Sequence, residues 1–539
     1  MTDRSKSGGT NMQSTGINRK WVLTGLIMGM FFSALEQTIV GTAMPTIITE
    51  LQGFEIFAWV TTAYMIASTV VVPIVGKLSD MYGRRLLYLI GAIIFAAGSA
   101  MCATAASMEQ LVLYRGLQGI GGGMLMPLSQ TIIGDIFTAE QRAKWQGVFG
   151  AIFGLSSVIG PFIGGVIVDN VSWHWIFLMN VPFGIISALL IYIGLKRETV
   201  RLEGKANIDY LGIITLVPAL ILFLYGLTFG GDKFAWASST SYLIFGGALL
   251  FTILFLLAEK FAAEPVLDLS LFRNRVFSVT NGLGFLLGLG MFGAIMFVPL
   301  YMQGILGVSP TKAGSTMTPL MIALIVASVV GGQLLLRIKY RTVLAAGMII
   351  TTLGFYLVST MGLDTAQWTA YLYMIALGFG MGLVMPTLMI AVQNEFPKSR
   401  LGTVTSASTF FRSIGGTIGV TVLNVVMNNT FRSNVETMSA EAKAGGGEAV
   451  VQTVEGIEKS GVDLFSVIVY PDKFPLPAEL KDKVVLFIQQ AWVDSFETVA
   501  LTGLVFVALG ILVALLVGGK RIQRDSEKAK DGQSAHAAH

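Results

Sequence analysis

Residues 21–45 read WVLTGLIMGMFFSALEQTIVGTAMP, and Glu36 is the one charge between Lys20 and Glu50. A helix needs about 20 apolar residues to cross the hydrocarbon core of a bilayer, so this run is long enough to span one. A carboxylate at that depth is expensive unless it is neutral, paired or beside water, and residues of this kind mark functional sites. Glu36 is therefore the anomaly of the run and its first candidate functional residue.

The rest of the chain repeats the pattern. Fourteen membrane-length apolar stretches stand at about 21–45, 56–76, 86–106, 108–134, 143–168, 173–195, 210–229, 241–258, 277–303, 311–336, 343–363, 368–394, 402–428 and 497–518. The composition is 54% hydrophobic and 13% charged, with mean hydropathy +0.71, which excludes a soluble globular enzyme. The expected fold class is an all-α polytopic membrane protein. The first stretch is too long for a signal-peptide core and runs directly into a second span, so no cleaved leader is expected. Cys102 is the sole cysteine, which excludes an intrachain disulfide and a thiolate metal cluster. The histidines, His174, His536 and His539, form no ligand pattern, and no nucleophile constellation appears. Neither a metal nor a cofactor is expected, and the sequence reads against an enzyme.

Basic residues set the orientation. Lys77, Arg84, Arg85, Lys196, Arg197, Arg337, Lys339 and Arg341 fall in alternate loops, whereas the short loops on the other side carry Lys233 and Lys312. By the positive-inside rule both termini are expected to be cytoplasmic, and the expected location is the cytoplasmic (inner) membrane. The net charge of +4 follows from this topology and gives no sign of nucleic-acid binding. Residues 1–20 and 519–539 are polar tails; 21–195 hold six spans, 196–275 two spans with their charged linkers, and 276–518 six more. GKLSDMYGRR (76–85) is weakly echoed by GQLLLRIKYR (332–341). Repeats of this kind place a transport site at their interface near mid-membrane. The outer segment 430–488 contains short apolar-periodic pieces such as VDLFSVIVY, too short to span, which are read either as helices outside the bilayer or as a poorly ordered loop.

The 76–85 segment can act as a latch. Gly76 and Gly83 permit tight turning and close approach, Asp80 can cap a neighbouring helix N-terminus, and Arg84 and Arg85 can pair with carboxylates or helix C-termini. Glu36 and Arg115 both fall roughly 10–14 Å below the outer boundary, counting 1.5 Å per residue. They can meet or share a water-filled cavity; a cationic neighbour favours the ionised carboxylate and dry burial the protonated one. The alternative is a permanent structural pair. Arg412 lies near mid-depth with no carboxylate at its level in its own half, and structural and cavity roles are equally open. Asp494 and Glu497 begin the last stretch and read as interfacial.

These motifs resemble the fourteen-helix drug:proton antiporters of the major facilitator superfamily over nearly the whole chain. The 76–85 segment resembles the superfamily's signature after span 2. Leu35-Glu36-Gln37-Thr38-Ile39-Val40 with Met44-Pro45 resembles the branch's span 1 motif, in which Asp is usual at the position of Glu36. Leu113 to Gly119 resembles the span 4 signature, whose arginine, Arg115 here, is linked to proton coupling. Gly147, Gly160, Pro161, Gly164 and Gly165 match the antiporter motif of span 5, with Ser156 in place of one glycine. Trp173 to Phe177 with Asn180-Val181-Pro182, and Asp268-Leu269 with Leu271-Phe272-Arg273, resemble further segments of the branch. The resemblance implies two six-helix bundles plus two inserted helices, alternating access, and proton-coupled efflux of hydrophobic, cationic drugs by a monomer in the lipid bilayer. Glu36 and Arg115 are the expected proton-coupling residues. The expected cavity residues are Glu36, Gln37, Phe32, Tyr64, Gln118, Asn180, Tyr301 and Arg412. An exporter of one metabolite, lipid or antibiotic would use the same motifs.

Overall fold

The computed structural model describes residues 18–51, 56, 58–195, 208–231, 233–308, 317–335, 337–444, 447–460, 464–469, 474 and 478–518. The polar tails, most of the 196–209 linker and Lys312 lie outside these residues, as do Gly445, Gly446 and most of the 471–477 run. The N-terminal bundle is α1 (Arg19–Leu51), α2 (Ala58–Tyr82), α3 (Arg84–Cys102), α4 (Met108–Ile136), α5 (Ala139–Asn170), α6 (His174–Leu178) and α7 (Asn180–Gly194). An accessory pair follows, α8 (Tyr210–Phe229) and α9 (Ser239–Phe261). The C-terminal bundle is α10 (Arg275–Gly304), α11 (Met317–Leu334), α12 (Tyr340–Ser359), α13 (Gln367–Glu395), α14 (Leu401–Ala444), α15 (Glu448–Lys459), α16 (Leu464–Val469) and α17 (Ala478–Leu515). The sixth span is broken at Met179 into α6 and α7.

The protein is an all-α polytopic membrane protein. Twelve spans among the described residues are long and apolar enough to cross a bilayer, with α6 and α7 forming one of them. The remaining two of the fourteen, α4 and α5, are as long but more polar. On α4, Gln118, Ser129, Gln130 and Thr131 are all buried. Burial follows the bundles. Tyr88, Phe95, Trp173 and Phe177 centre one core, and Tyr301, Tyr340, Phe355 and Phe496 the other. A third core joins Leu216, Leu220, Leu224 and Phe255 of the accessory pair to Val70 of α2 and Val404 and Phe410 of α14. The opposite faces of α8 and α9 are bare: Leu211 is 69% and Leu243 77% exposed, which assigns those faces to lipid.

α1 and α5 cross closely. A Cβ at Gly160 would come within 2.2 Å of Thr38 Oγ1, whereas one at Gly165 would meet nothing within 4 Å. Ser156, at the position of a family glycine, donates from its hydroxyl to Phe31 O at 3.1 Å and Ile152 O at 2.8 Å, and its own carbonyl accepts from Thr38 Oγ1 at 3.3 Å. The serine therefore keeps the approach and adds a polar tie. Gly147 and Pro161 lie on α5 with surroundings outside the described residues, and Gly164 is buried. Overpacking a tight crossing costs about 1–3 kcal/mol. Gly160→Ala should lower the melting temperature accordingly, and adding Thr38→Ala should restore most of the loss. A Gly160→Ala protein as stable as the wild type would show that the crossing yields freely.

The 430–488 segment is helical wherever it is described, apart from short joins. α14 runs on to Ala444, well past residue 428, and α17 begins at Ala478 rather than near 497. Val435, Val454, Leu464, Val467 and Ile468 are buried in one cluster with Val484 and Ile488, and Val451 is buried too, so the segment covers one end of the C-terminal bundle. Asn434 Nδ2 donates to Ser495 Oγ at 3.0 Å, Gln489 Nε2 to Gly304 O at 2.9 Å, and Lys443 pairs with Glu455 at 2.8 Å. Asp494 and Glu497 consequently sit inside a long helix, where Asp494 accepts from Gln490 Nε2 at 2.8 Å.

Candidate functional site

Glu36 of α1 and Arg115 of α4 meet with both side chains shut away from solvent. Arg115 Nη1 donates to Glu36 Oε1 at 2.6 Å and to Gln118 Oε1 at 2.6 Å, and Arg115 Nε donates to Val60 O at 3.1 Å. The second carboxylate oxygen of Glu36 accepts from Asn180 Nδ2 at the start of α7. Gln118 Nε2 donates in turn to Ser99 Oγ of α3 at 2.5 Å. Five helices thus converge on one ion pair, with polar partners on both charges. That satisfaction is the condition for a buried pair to be tolerated, and removal of one partner then costs about 3–5 kcal/mol.

Tyr64 links this cluster to open space. The Tyr64 ring lies 4.3 Å from Arg115 Cζ as a cation–π contact. Its hydroxyl reaches Ser33 O at 3.5 Å, and Tyr64 also lines a cavity of about 680 Å³ between the two bundles. Cavities of this size accommodate drug-sized molecules. Gln37, Tyr64 and Arg412 are in its wall; Glu36, Arg115, Gln118 and Asn180 are not, because they point into the α1–α4–α7 packing. Phe32 stacks on Phe183 at 4.0 Å. Tyr301 is away from the cavity altogether, stacked on Phe496 at 5.1 Å, with its hydroxyl donating to Gly362 O at 2.6 Å. Nine methionines line the wall, among them Met126, Met321 and Met389; their unbranched thioethers adapt to varied shapes. Among the described lining residues, no carboxylate appears and Arg412 is the one charged group.

The bundles close on each other at the end that carries the 76–85 segment. Asp80 of α2 accepts from Gly402 N at 2.8 Å, Thr403 N at 2.7 Å and Thr403 Oγ1 at 2.7 Å, so a carboxylate of one bundle sits on the α14 N-terminus of the other. Arg84 binds Asp80 at 2.6 Å and Asp135 at 3.0 Å, and donates to Lys398 O at 3.1 Å. Gly83 has φ 91°, the left-handed backbone that lets α2 and α3 reverse at this point. At Gly76 a Cβ would strike Ser406 at 2.4 Å, which fixes how closely α2 and α14 cross. Arg85 stands apart, stacked at 4.3 Å on Tyr192. The cavity runs from Gln130 and Thr409 toward Asn428, Asn429 and Trp236, away from the closed Asp80–Thr403 end.

Sequence reading passed over Asp135, Thr403 and Arg142. Arg142 donates to Phe137 O at 3.0 Å and to Asn394 Oδ1 at 3.4 Å, and Asn394 donates to Tyr340 within the weak echo of the latch segment. Asp135, an acidic residue just beyond an apolar stretch, is the one signal that was available.

Comparison with known proteins agrees with this architecture. The model of the Major Facilitator Superfamily matches residues 26–420. Multidrug transporter protein MdtP of Bacillus subtilis (strain 168) is 44% identical over 525 residues, covering 96% of each chain. Multidrug resistance protein 3 of the same organism is 36% identical over 514 residues, covering 95% of this chain and 97% of its own. The crystal structure of the human organic anion transporter MFSD10 (TETRAN) superposes with TM-score 0.56 at 16% identity, over 91% of this chain and 99% of that one, a likeness of fold. On fold and on relatives alike, this chain is a transporter, not an enzyme, and belongs to the major facilitator superfamily.

Proposed function

We propose that the protein exports hydrophobic drugs across the cytoplasmic membrane in exchange for protons, acting as a monomer with both termini cytoplasmic. The observation that carries this reading is the fully buried Glu36–Arg115 pair lying one tyrosine away from a drug-sized cavity. The names of the two Bacillus relatives support drug efflux. Glu36 holds α1 against α4 while ionised. A proton arriving from the outer side past Tyr64 removes that attraction, and the bundles rearrange to expose the cavity inward. There the proton leaves, the pair re-forms, and drug loads for the outward stroke.

The cationic preference expected from Glu36 finds no carboxylate in the described cavity wall, because Glu36 is engaged behind Tyr64. The proposal therefore rests on hydrophobic substrates, not on their positive charge. Efflux from proteoliposomes should require an imposed pH gradient and stop when an ionophore collapses it. Transport that ignores the gradient would instead mark a passive pathway.

The latch predicts a shift of state. Asp80→Ala removes a charged helix cap and the partner of Arg84, worth about 2–4 kcal/mol together, enough to change a conformational ratio by a factor of about 30 or more. Spin labels on the inner ends of α2 and α14 should report a longer distance in Asp80→Ala than in the wild type. Superimposable distance distributions would remove Asp80 from the latch.

A further inference from the structure

Arg412, half-buried, is placed unlike the buried arginines Arg84, Arg115 and Arg142. Arg84, Arg115 and Arg142 each engage carboxylates, carbonyls or side-chain amides. Arg412 has no hydrogen-bond or ion-pair partner among the described residues, and it lines the central cavity. It lies eleven residues into α14, about 17 Å along the helix from its inner end, close to the middle of a bilayer core of about 30 Å. A charge at that depth with no partner among the described residues is costly, and its location in a cavity identifies what can offset the cost. Thr409, Ser413, Thr417 and Asn424 line the cavity on the same face of α14. Gln130 of α4 also lines the cavity.

We infer that Arg412 makes this cavity an anion-recognising site, so that the exported drugs include amphiphiles bearing a carboxylate. The guanidinium fork matches a carboxylate in bidentate geometry, and the methionine wall takes the apolar body of the ligand. This rests on the reading of the cavity as the drug site, and it reverses the charge expected of the substrate.

The test is binding to the purified full-length protein in nanodiscs without a gradient. It uses three fluorescent probes that share one aromatic skeleton and end in a carboxylate, a carboxamide or a trimethylammonium group. The carboxylate probe should bind at least about tenfold tighter than the ammonium probe, as expected for charge-assisted hydrogen bonds. Arg412→Gln should weaken the carboxylate probe by about ten- to a hundredfold and leave the carboxamide probe within about threefold, while Arg412→Lys retains part of the preference. Because Arg412→Gln removes a half-buried charge with no ion-pair partner among the described residues, its melting temperature should not fall below the wild type. Equal loss for all three probes, or a tighter ammonium probe in the wild type, would overturn the inference while leaving the export reading intact. Binding of none of them would overturn both. Competition with lysophosphatidylglycerol separates two sources of the anion: displacement of the carboxylate probe points to lipid, and its absence to a soluble drug, each supporting an anion site.

Discussion

Glu36→Gln protein, reconstituted in proteoliposomes, will bind drug but will not accumulate it against a gradient. One exchanged proton contributes about 1.4 kcal/mol per pH unit and about 2.3 kcal/mol per 100 mV. Under one pH unit and 100 mV these sum to about 3.7 kcal/mol, an accumulation ratio of a few hundred. Glutamine preserves the shape and accepts from Arg115 through its amide oxygen, but it cannot carry a proton. The ratio should therefore fall to about one, while drug-for-drug exchange persists. No other carboxylate among the described residues stands beside the central cavity, so nothing is placed to take over. Uphill efflux undiminished in Glu36→Gln would remove this residue from the mechanism.

The second large effect concerns Arg115. Arg115→Met leaves the Glu36 carboxylate buried with Asn180 as its polar partner and no cation. Loss of one member of a satisfied buried pair costs about 3–5 kcal/mol, so the melting temperature should drop steeply. The double variant Glu36→Gln/Arg115→Met removes both charges and should recover at least half of that loss. The same variant separates coupling from scaffolding. A pair that serves only to hold α1 against α4 would let the stable double variant transport uphill, whereas a pair that carries the proton leaves it folded and uncoupled.

The ion pair was within reach of sequence reasoning because depth is countable: two opposite charges at similar distances from the outer boundary have few other partners. Rotation of a packed helix about its axis is not countable in this way. Gln118 and Asn180 are polar groups at mid-depth, equally compatible with a cavity wall or with a buried pair, and neighbouring helices decide between the two. Here they hold Arg115 and Glu36. Tyr301 illustrates the same limit, since the packing of α17 draws its ring away from the cavity toward Phe496. Hydropathy also measures a helix only where lipid surrounds it. α14 and α17 continue past the apolar stretch as amphipathic helices packed on one another, and their polar outer faces read as a loop. Asp80 was more legible, because a short segment rich in Gly, Asp and Arg between two spans has few other physical uses. Its partner, the N-terminus of α14, lies more than 300 residues away, and no local pattern points to it.

The proposed cycle has Glu36 as the group whose proton is exchanged for drug. Its most direct test is the proton released into weakly buffered solution when drug is added to the purified protein in detergent. The wild type should release about one proton per drug bound, and Glu36→Gln should bind drug while releasing none. Equal release from the two proteins would contradict the account.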